Sequence, residues 1–169
     1  MLASAAREGT VILPKSDRRY LKFTNWVQWH APRLAHDRAV LDTMSDLVGI
    51  EPARVSAALR WGQGPTISIV RDLDCRGRAA GCFRQAAPKQ LDIDENVVEA
   101  YHKGLDKETR FTGSHRVPKA GIVVLHELVH WADFVVNGGR TPVGAPYHDI
   151  GSKWEWLVFA TFLPEMAND

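Results

Sequence analysis

The sequence predicts an α+β protein: helices first, then a small mixed sheet, then two closing helices, the second of them C-terminal. Three observations carry this. Apolar residues recur at helical spacing from Lys22 to Trp61, β-branched and alternating segments occupy the middle, and two strongly apolar runs with few breakers close the chain. Phe23, Trp26, Val27 and His30 fall at i, i+3, i+4 and i+7 before Pro32 interrupts. Val40, Met44, Leu47 and Val48 continue the pattern, and Gly49 suits the end of that helix. Glu51-Pro52 restarts a helix through Val55, Leu59 and Trp61, with the proline near its first turn. Gly62-Gln63-Gly64-Pro65 then marks a turn into strands expected over 66–73 and 82–93, the second carrying the alternation Leu91-Asp92-Ile93-Asp94. A helix through Val97, Val98 and Tyr101 ends near Gly104, and the polar stretch 105–116 reads as a surface loop. Residues 1–20 read as a loosely packed lead-in around Thr10-Val11-Ile12-Leu13. Six tryptophans are many for this length: Trp26, Trp29 and Trp61 fit an N-terminal helical core, while Trp131, Trp154 and Trp156 lie in the two closing helices, where packing and pocket lining are both open to them.

Composition excludes several classes. The 169 residues are 45% apolar and 24% charged, as in a globular domain, and a chain of this size holds a core without needing a metal or disulfide to do so. Twenty-one Lys and Arg against 20 Asp and Glu give a net charge of +1. A protein that coats nucleic acid or an anionic membrane needs a larger basic surplus or a basic stripe, so no nucleic-acid partner is expected. No run approaches the about 20 uninterrupted apolar residues of a membrane span. The N-terminal residues Met1 to Glu8 lack a basic segment followed by an apolar core, so no signal peptide is expected there.

The chemistry concentrates in Leu125-His126-Glu127-Leu128-Val129-His130-Trp131-Ala132-Asp133. On a helix His126 and His130 are one turn apart, about 6 Å along the axis and about 40° in azimuth, so both imidazoles can meet on one ion. Glu127 is turned about 100° away, beside the ion and not on it, where it can take a proton from bound water. Zn(2+) is the cofactor this pattern calls for, because two histidines and a glutamate inside an apolar helix are costly unless something pairs with them. A catalytic zinc has three protein ligands and an open position, so a third ligand is required. Glu155 is the leading candidate, as the charged residue of Trp154-Glu155-Trp156-Leu157-Val158-Phe159. It also completes Ser152-x-x-Glu155, a capping box, and that role stays open beside the first. His148 and Asp149 are rivals for the ligand position. Asp133, two turns beyond His126, is placed to accept a hydrogen bond from His130, and Tyr147 with His148 could assist an oxyanion. Asn137-Gly138-Gly139 stops the helix and lets the Glu155 helix return to face it.

Cys75 and Cys82 admit two readings, unrelated thiols or a disulfide across a glycine-bearing loop, and the second would imply an oxidising compartment. Arg71, Arg76, Arg78 and Arg84 surround that loop, as a solvated face or as a patch for an acidic surface.

The His126–His130 motif with a downstream glutamate resembles the gluzincin-type zinc metallopeptidases. The longer string through Asp133, followed by Gly138-Gly139, is similar to small bacterial effector metallopeptidases, including secreted effector proteases of the M91 type and the C-terminal peptidase domains of VgrG-type spikes of type VI secretion systems. The resemblance implies a single zincin-like metallopeptidase domain over residues 1–169, with His126, His130 and Glu155 as zinc ligands and Glu127 as general base. It implies a zinc endopeptidase acting as a toxin on a protein or peptide substrate, secreted without a signal peptide, with the target-cell periplasm as a place of action and a cognate immunity protein in the producer. A zinc amidase acting on cell-wall peptides and a catalytically silent zincin-like binding module are the alternatives. The resemblance also suggests that a strand upstream of the active helix takes an extended peptide by strand addition, around Leu91–Ile93 or Thr66–Val70, against the simpler reading of an ordinary core strand.

Overall fold

Phe23, Trp26 and Val27 are buried at the entry of the chain, as their helical spacing predicts. The computed structural model describes residues 18–159 apart from residues 76, 78, 107–108 and 113–114, so most of the expected lead-in, with Thr10–Leu13, lies outside the described residues. The first helical run takes three geometries in succession. An α-helical turn, α1 (Leu21–Asn25), widens at Trp26–His30 and tightens at Ala31–His36, where Pro32 begins the tight segment. Proline lacks the N–H an interior position must donate, and early positions do not require one. Asp37 then starts α2 (Arg38–Val48): its Oδ1 accepts from the backbone N–H groups of Ala39 and Val40. Gly49 ends α2 with φ +74°, a left-handed conformation that glycine adopts without a Cβ penalty. Pro52 opens α3 (Pro52–Ala58). Of the three tryptophans expected in this core, Trp26 is inside, whereas Trp29 and Trp61 are 62% and 39% exposed.

The sheet is small and mixed. β1 (Thr66–Val70), β2 (Gly81–Phe83) and β3 (Gln90–Asp94) lie in the order β1-β3-β2, with β1 parallel and β2 antiparallel to β3. The single strand expected over 82–93 is therefore two. Backbone turns from Ala87 to Arg84 and from Gln90 to Ala87 reverse the chain between them. β3 is central, with Leu91, Asp92, Ile93 and Asp94 all buried, so Leu91–Ile93 is a core strand with no free edge. The edges belong to β1 and β2.

The buried carboxylates of β3 are each satisfied. Asp92 pairs with Arg84, and Asp94 accepts from the Leu73 N–H while capping α4 (Glu95–His102) at Asn96. The stretch expected as a surface loop contains a hairpin, β4 (Thr109–Thr112) and β5 (His115–Pro118). Its polar composition hid the strands because the hairpin is anchored by polar groups: Thr112 Oγ1 donates to Asp37 Oδ1, and His115 Nδ1 lies 3.0 Å from Asp37 Oδ2.

α5 (Lys119–Asn137) carries the H-E-x-x-H segment and runs through the core, buried almost continuously from Ala120 to Val129. It packs against the β2 and β3 strands on one side and against α2, α4 and α6 (Ile150–Phe159) on others. Gly138, with φ +65°, ends it where the sequence places the stop. No helix among the described residues is long and apolar enough to cross a membrane.

Gly121 sets how closely the N-terminal helices approach α5. A Cβ at that position would fall 2.3 Å from Cζ2 of the buried Trp26 ring. Alanine normally favours a helix over glycine by about 1 kcal/mol. Gly121→Ala is expected instead to destabilise by about 1–3 kcal/mol through overpacking, a fall in Tm of several degrees by calorimetry.

Candidate metal centre

Two imidazoles of α5, at positions i and i+4, face the same point. Nε2 of His126 and Nε2 of His130 are 3.2 Å apart, and the ring centroids 5.0 Å. The third group at this point is Asp149, whose Oδ2 lies 3.5 Å from His126 Nε2 and 3.6 Å from His130 Nε2. Two imidazole nitrogens and a carboxylate oxygen form the metal-capable cluster among the described residues. Ligands about 2.0–2.1 Å from a tetrahedral zinc sit about 3.3 Å from one another. The three separations therefore fit a zinc without rearrangement of the backbone. His126 is buried, but the Asp149 side chain is 40% exposed, so the cluster opens to solvent on its Asp149 side.

Asp149 is held there by the helix it starts. Its Oδ1 accepts from the Ser152 N–H at 2.7 Å, and its backbone carbonyl accepts from Lys153. One carboxylate oxygen thus caps α6 while the other faces the imidazoles. The following residues close around His126: a Cβ added at Gly151 would lie 2.4 Å from His126 Nε2. Only glycine lets the first turn of α6 come that close.

Glu155 is not brought to the cluster. α6 begins at Ile150, three residues earlier than the Ser152-x-x-Glu155 box would start it, and Glu155 is carried into the second turn behind the ring. Its Oε1 lies 2.6 Å from His126 Nδ1, the nitrogen opposite the one that faces Asp149. A carboxylate there fixes the proton on Nδ1 and leaves the Nε2 lone pair free for a metal. Ser152, the expected cap, is inside the helix, and Asp149 takes the capping role.

Glu127 faces the sheet. A Cβ at Gly81 of β2 would meet Glu127 Oε1 and Val123 Cγ1 at 2.7 Å, so the Glu127 carboxylate lies directly against the β2 backbone. Burial raises the Glu127 carboxyl above its usual range, against the opposing pull of His126 and His130. Burial also opposes the charge on His126, but the hydrogen bonds to Asp149 and Glu155 outweigh it and hold the imidazole well above its ordinary pKa. For Asp149 burial is likewise overcome, and hydrogen bonds from both histidines hold the carboxyl far below its ordinary value. Three carboxylates around two imidazoles leave an electrostatic deficit that a divalent cation would fill.

The remaining expected residues are placed elsewhere. Asp133 does not reach His130: its Oδ1 accepts from Thr141 and from Asn137 Nδ2 at 3.1 Å, tying the end of α5 to the turn after it. Two turns along the helix put it on the far end of the same face. His148 is exposed and outside the cluster. Tyr147 meets Trp156 edge-on with ring centroids 5.8 Å apart, beside the Asp149 side of the site. Trp154 is fully buried, Trp131 is half-buried and Trp156 is exposed. Cys75 and Cys82 form a disulfide. Of the surrounding arginines, Arg71 is paired with Glu95 and Arg84 with Asp92, while Arg76 and Arg78 lie outside the described residues. Two contributors had no motif of their own: Gly151, whose role depends on the approach of α6, and β2, whose contact with Glu127 depends on sheet order. For Asp149 a signal exists, since an aspartate directly before an apolar helical run is an N-cap.

A family model described as Metallopeptidase toxin 3 matches residues 16–160. No curated protein and no solved structure matches the chain.

Metal content separates the two carboxylates that flank His126. Asp149→Ala is expected to lose stoichiometric zinc by elemental analysis, whereas Glu155→Gln is expected to keep one zinc at saturation with affinity reduced by about 10–100-fold. The reverse order would return Glu155 to the ligand position. Gly151→Ala is expected to weaken zinc binding as well, with far-UV dichroism preserved, because its methyl displaces the His126 ring.

Proposed function

The chain belongs to the metallopeptidase toxin 3 family, and from that premise we propose that it is a zinc-dependent endopeptidase toxin with His126, His130 and Asp149 as metal ligands and Glu127 as general base. Membership makes the protein a metallopeptidase toxin and a hydrolase. The observation that carries the finer reading is the convergence of two Nε2 atoms and Asp149 Oδ2 within 3.2–3.6 Å, next to a buried glutamate on the same helix.

A zinc held by these three groups would act as a Lewis acid on the scissile carbonyl and lower the pKa of water. The chain supplies the rest. Glu127 takes the proton from the water that attacks the carbonyl carbon and returns it to the leaving amine nitrogen. Its burial favours the proton-bearing form, which suits the second half of that cycle. Glu155 keeps His126 in one tautomer and one orientation, and Gly151 admits the ring without a clash. The solvent-open side at Asp149 leaves a path for an extended peptide.

The same reading makes the protein an effector domain that acts on another cell after export by a bacterial secretion system, type VI among them, with an immunity protein protecting the producer. The Cys75–Cys82 disulfide supports a working compartment that is oxidising, such as the periplasm.

Hydrolysis of a randomised peptide library, followed by mass spectrometry, tests the activity. Cleavage is expected to stop with a metal chelator and return with zinc. Glu127→Gln is expected to lose about 10²–10⁴-fold in kcat while keeping its zinc. A variant that cleaves as well as wild type would remove Glu127 from the mechanism.

A further inference from the structure

β2 is three residues long, and its two faces do different things. Successive strand residues point to opposite sides. Gly81 and Phe83 face α5, where Gly81 lies against Val123 and Glu127 and the Phe83 ring meets Phe134 at 5.6 Å between centroids. Cys82, between them, points away from α5 and is bonded to Cys75. The strand has one hydrogen-bonded neighbour, β3, since β2 is an edge of the sheet. What holds its other face is the loop that begins at Asp74. Cys75 anchors that loop through the disulfide, and Arg84 anchors it a second time, donating from Nη2 to the Asp74 carbonyl at 3.0 Å while its Nη1 pairs with Asp92. The β2 residue that the Glu127 carboxylate lies against is Gly81, the residue before the disulfide cysteine.

We propose that the Cys75–Cys82 disulfide is a positioning element for Glu127: it holds β2 against α5, so the base is set for reaction only where the disulfide persists. This rests on Glu127 being the general base. Cys82 is buried and Cys75 half-exposed, so an incoming thiolate attacks the Cys75 sulfur and releases the Cys82 thiolate, which takes up a proton. A second thiol resolves the mixed disulfide. Two thiols of glutathione type become one disulfide, and their two electrons leave both cysteines reduced. β2 then keeps its short ladder to β3, the Phe83–Phe134 contact and the Arg84 anchor but loses the covalent one, the Glu127 carboxylate no longer has a fixed strand against it, and the metal ligands on α5 and at the start of α6 are untouched. A toxin built this way is active in an oxidising compartment and weak in a reducing cytosol, including that of its producer.

The test uses the purified chain, oxidised and then reduced with a water-soluble phosphine, which takes its oxygen from water and does not compete as a thiol for zinc. Amide hydrogen exchange at residues 81–83 is expected to rise by about tenfold or more on reduction, with α5 amides from Val123 to His130 and zinc stoichiometry unchanged. Turnover of a peptide cleaved by the oxidised protein is expected to fall by about tenfold or more and to recover on reoxidation. The double variant C75S/C82S should reproduce the loss, but in a Glu127→Gln background it should cost nothing further, because the path it acts through is already gone. Unchanged exchange in β2 would overturn the proposal. So would exchange rising throughout α5 with loss of zinc, which is what a general structural staple would give. Absence of hydrolysis by the oxidised protein would sink the peptidase reading instead, and the local exchange result would still decide whether the disulfide holds β2 on Glu127.

Discussion

A buried imidazole with a carboxylate opposite each ring nitrogen fixes the relation of the two helices on which the site depends. His126 is inside the core, where an unpaired ring would be costly, and each nitrogen meets a group from α6. Glu155 in the second turn takes Nδ1 and Asp149 at the helix start faces Nε2. A single helix therefore clasps the ring from both sides, and it can do so only because Gly151 between them has no side chain. The register of α6 on α5 follows: a shift of one residue along α6 would remove both carboxylates from the ring and put a side chain into it.

The sheet plays a different part. β3, flanked on both sides and buried with its acidic residues satisfied, is the rigid member, and β2 transmits that rigidity to Glu127. Glu127 is thus placed by the sheet while His126 and Asp149 are placed by the helix pair. Two separate supports meet at consecutive residues of α5, His126 and Glu127. This arrangement keeps Glu127 and His126 from competing for the same partners, since Glu127 lies against β2 and His126 against α6.

Much of this was legible in the sequence because it is local. The one-turn spacing of His126 and His130, the glycine stop at 138 and the order helices, sheet, helices each depend on periods of a few residues. The third member of the cluster was less so. Choosing among Glu155, Asp149 and His148 required knowing where α6 begins, and the competing caps at Asp149 and Ser152 differ by three residues, nearly a full turn. The split of 82–93 into two strands was hidden because β3 alternates acidic and apolar residues yet buries both, an outcome that rests on Arg84, the Leu73 N–H and the cap of α4. The β4–β5 hairpin was hidden for the same reason: Asp37, far away in sequence, supplies its anchor.

Asp149 also shows how a single solvent-facing carboxylate can be held in a fixed position beside two imidazoles. An aspartate in a loop would pay side-chain entropy to hold one position. Here the cost is shared, because capping Ser152 already fixes the carboxylate plane, and the oxygen left over has no other helix N–H to serve. The cap thereby preorganises the carboxylate that faces the imidazoles. Conversely, a cation at the cluster would stabilise the start of α6, so metal affinity and helix docking would be two sides of one equilibrium, as linkage requires of any group that binds only the folded form. The solvent-open edge of the site is consequently no looser than its buried edge: Asp149 is exposed in surface terms but fixed by the backbone that follows it.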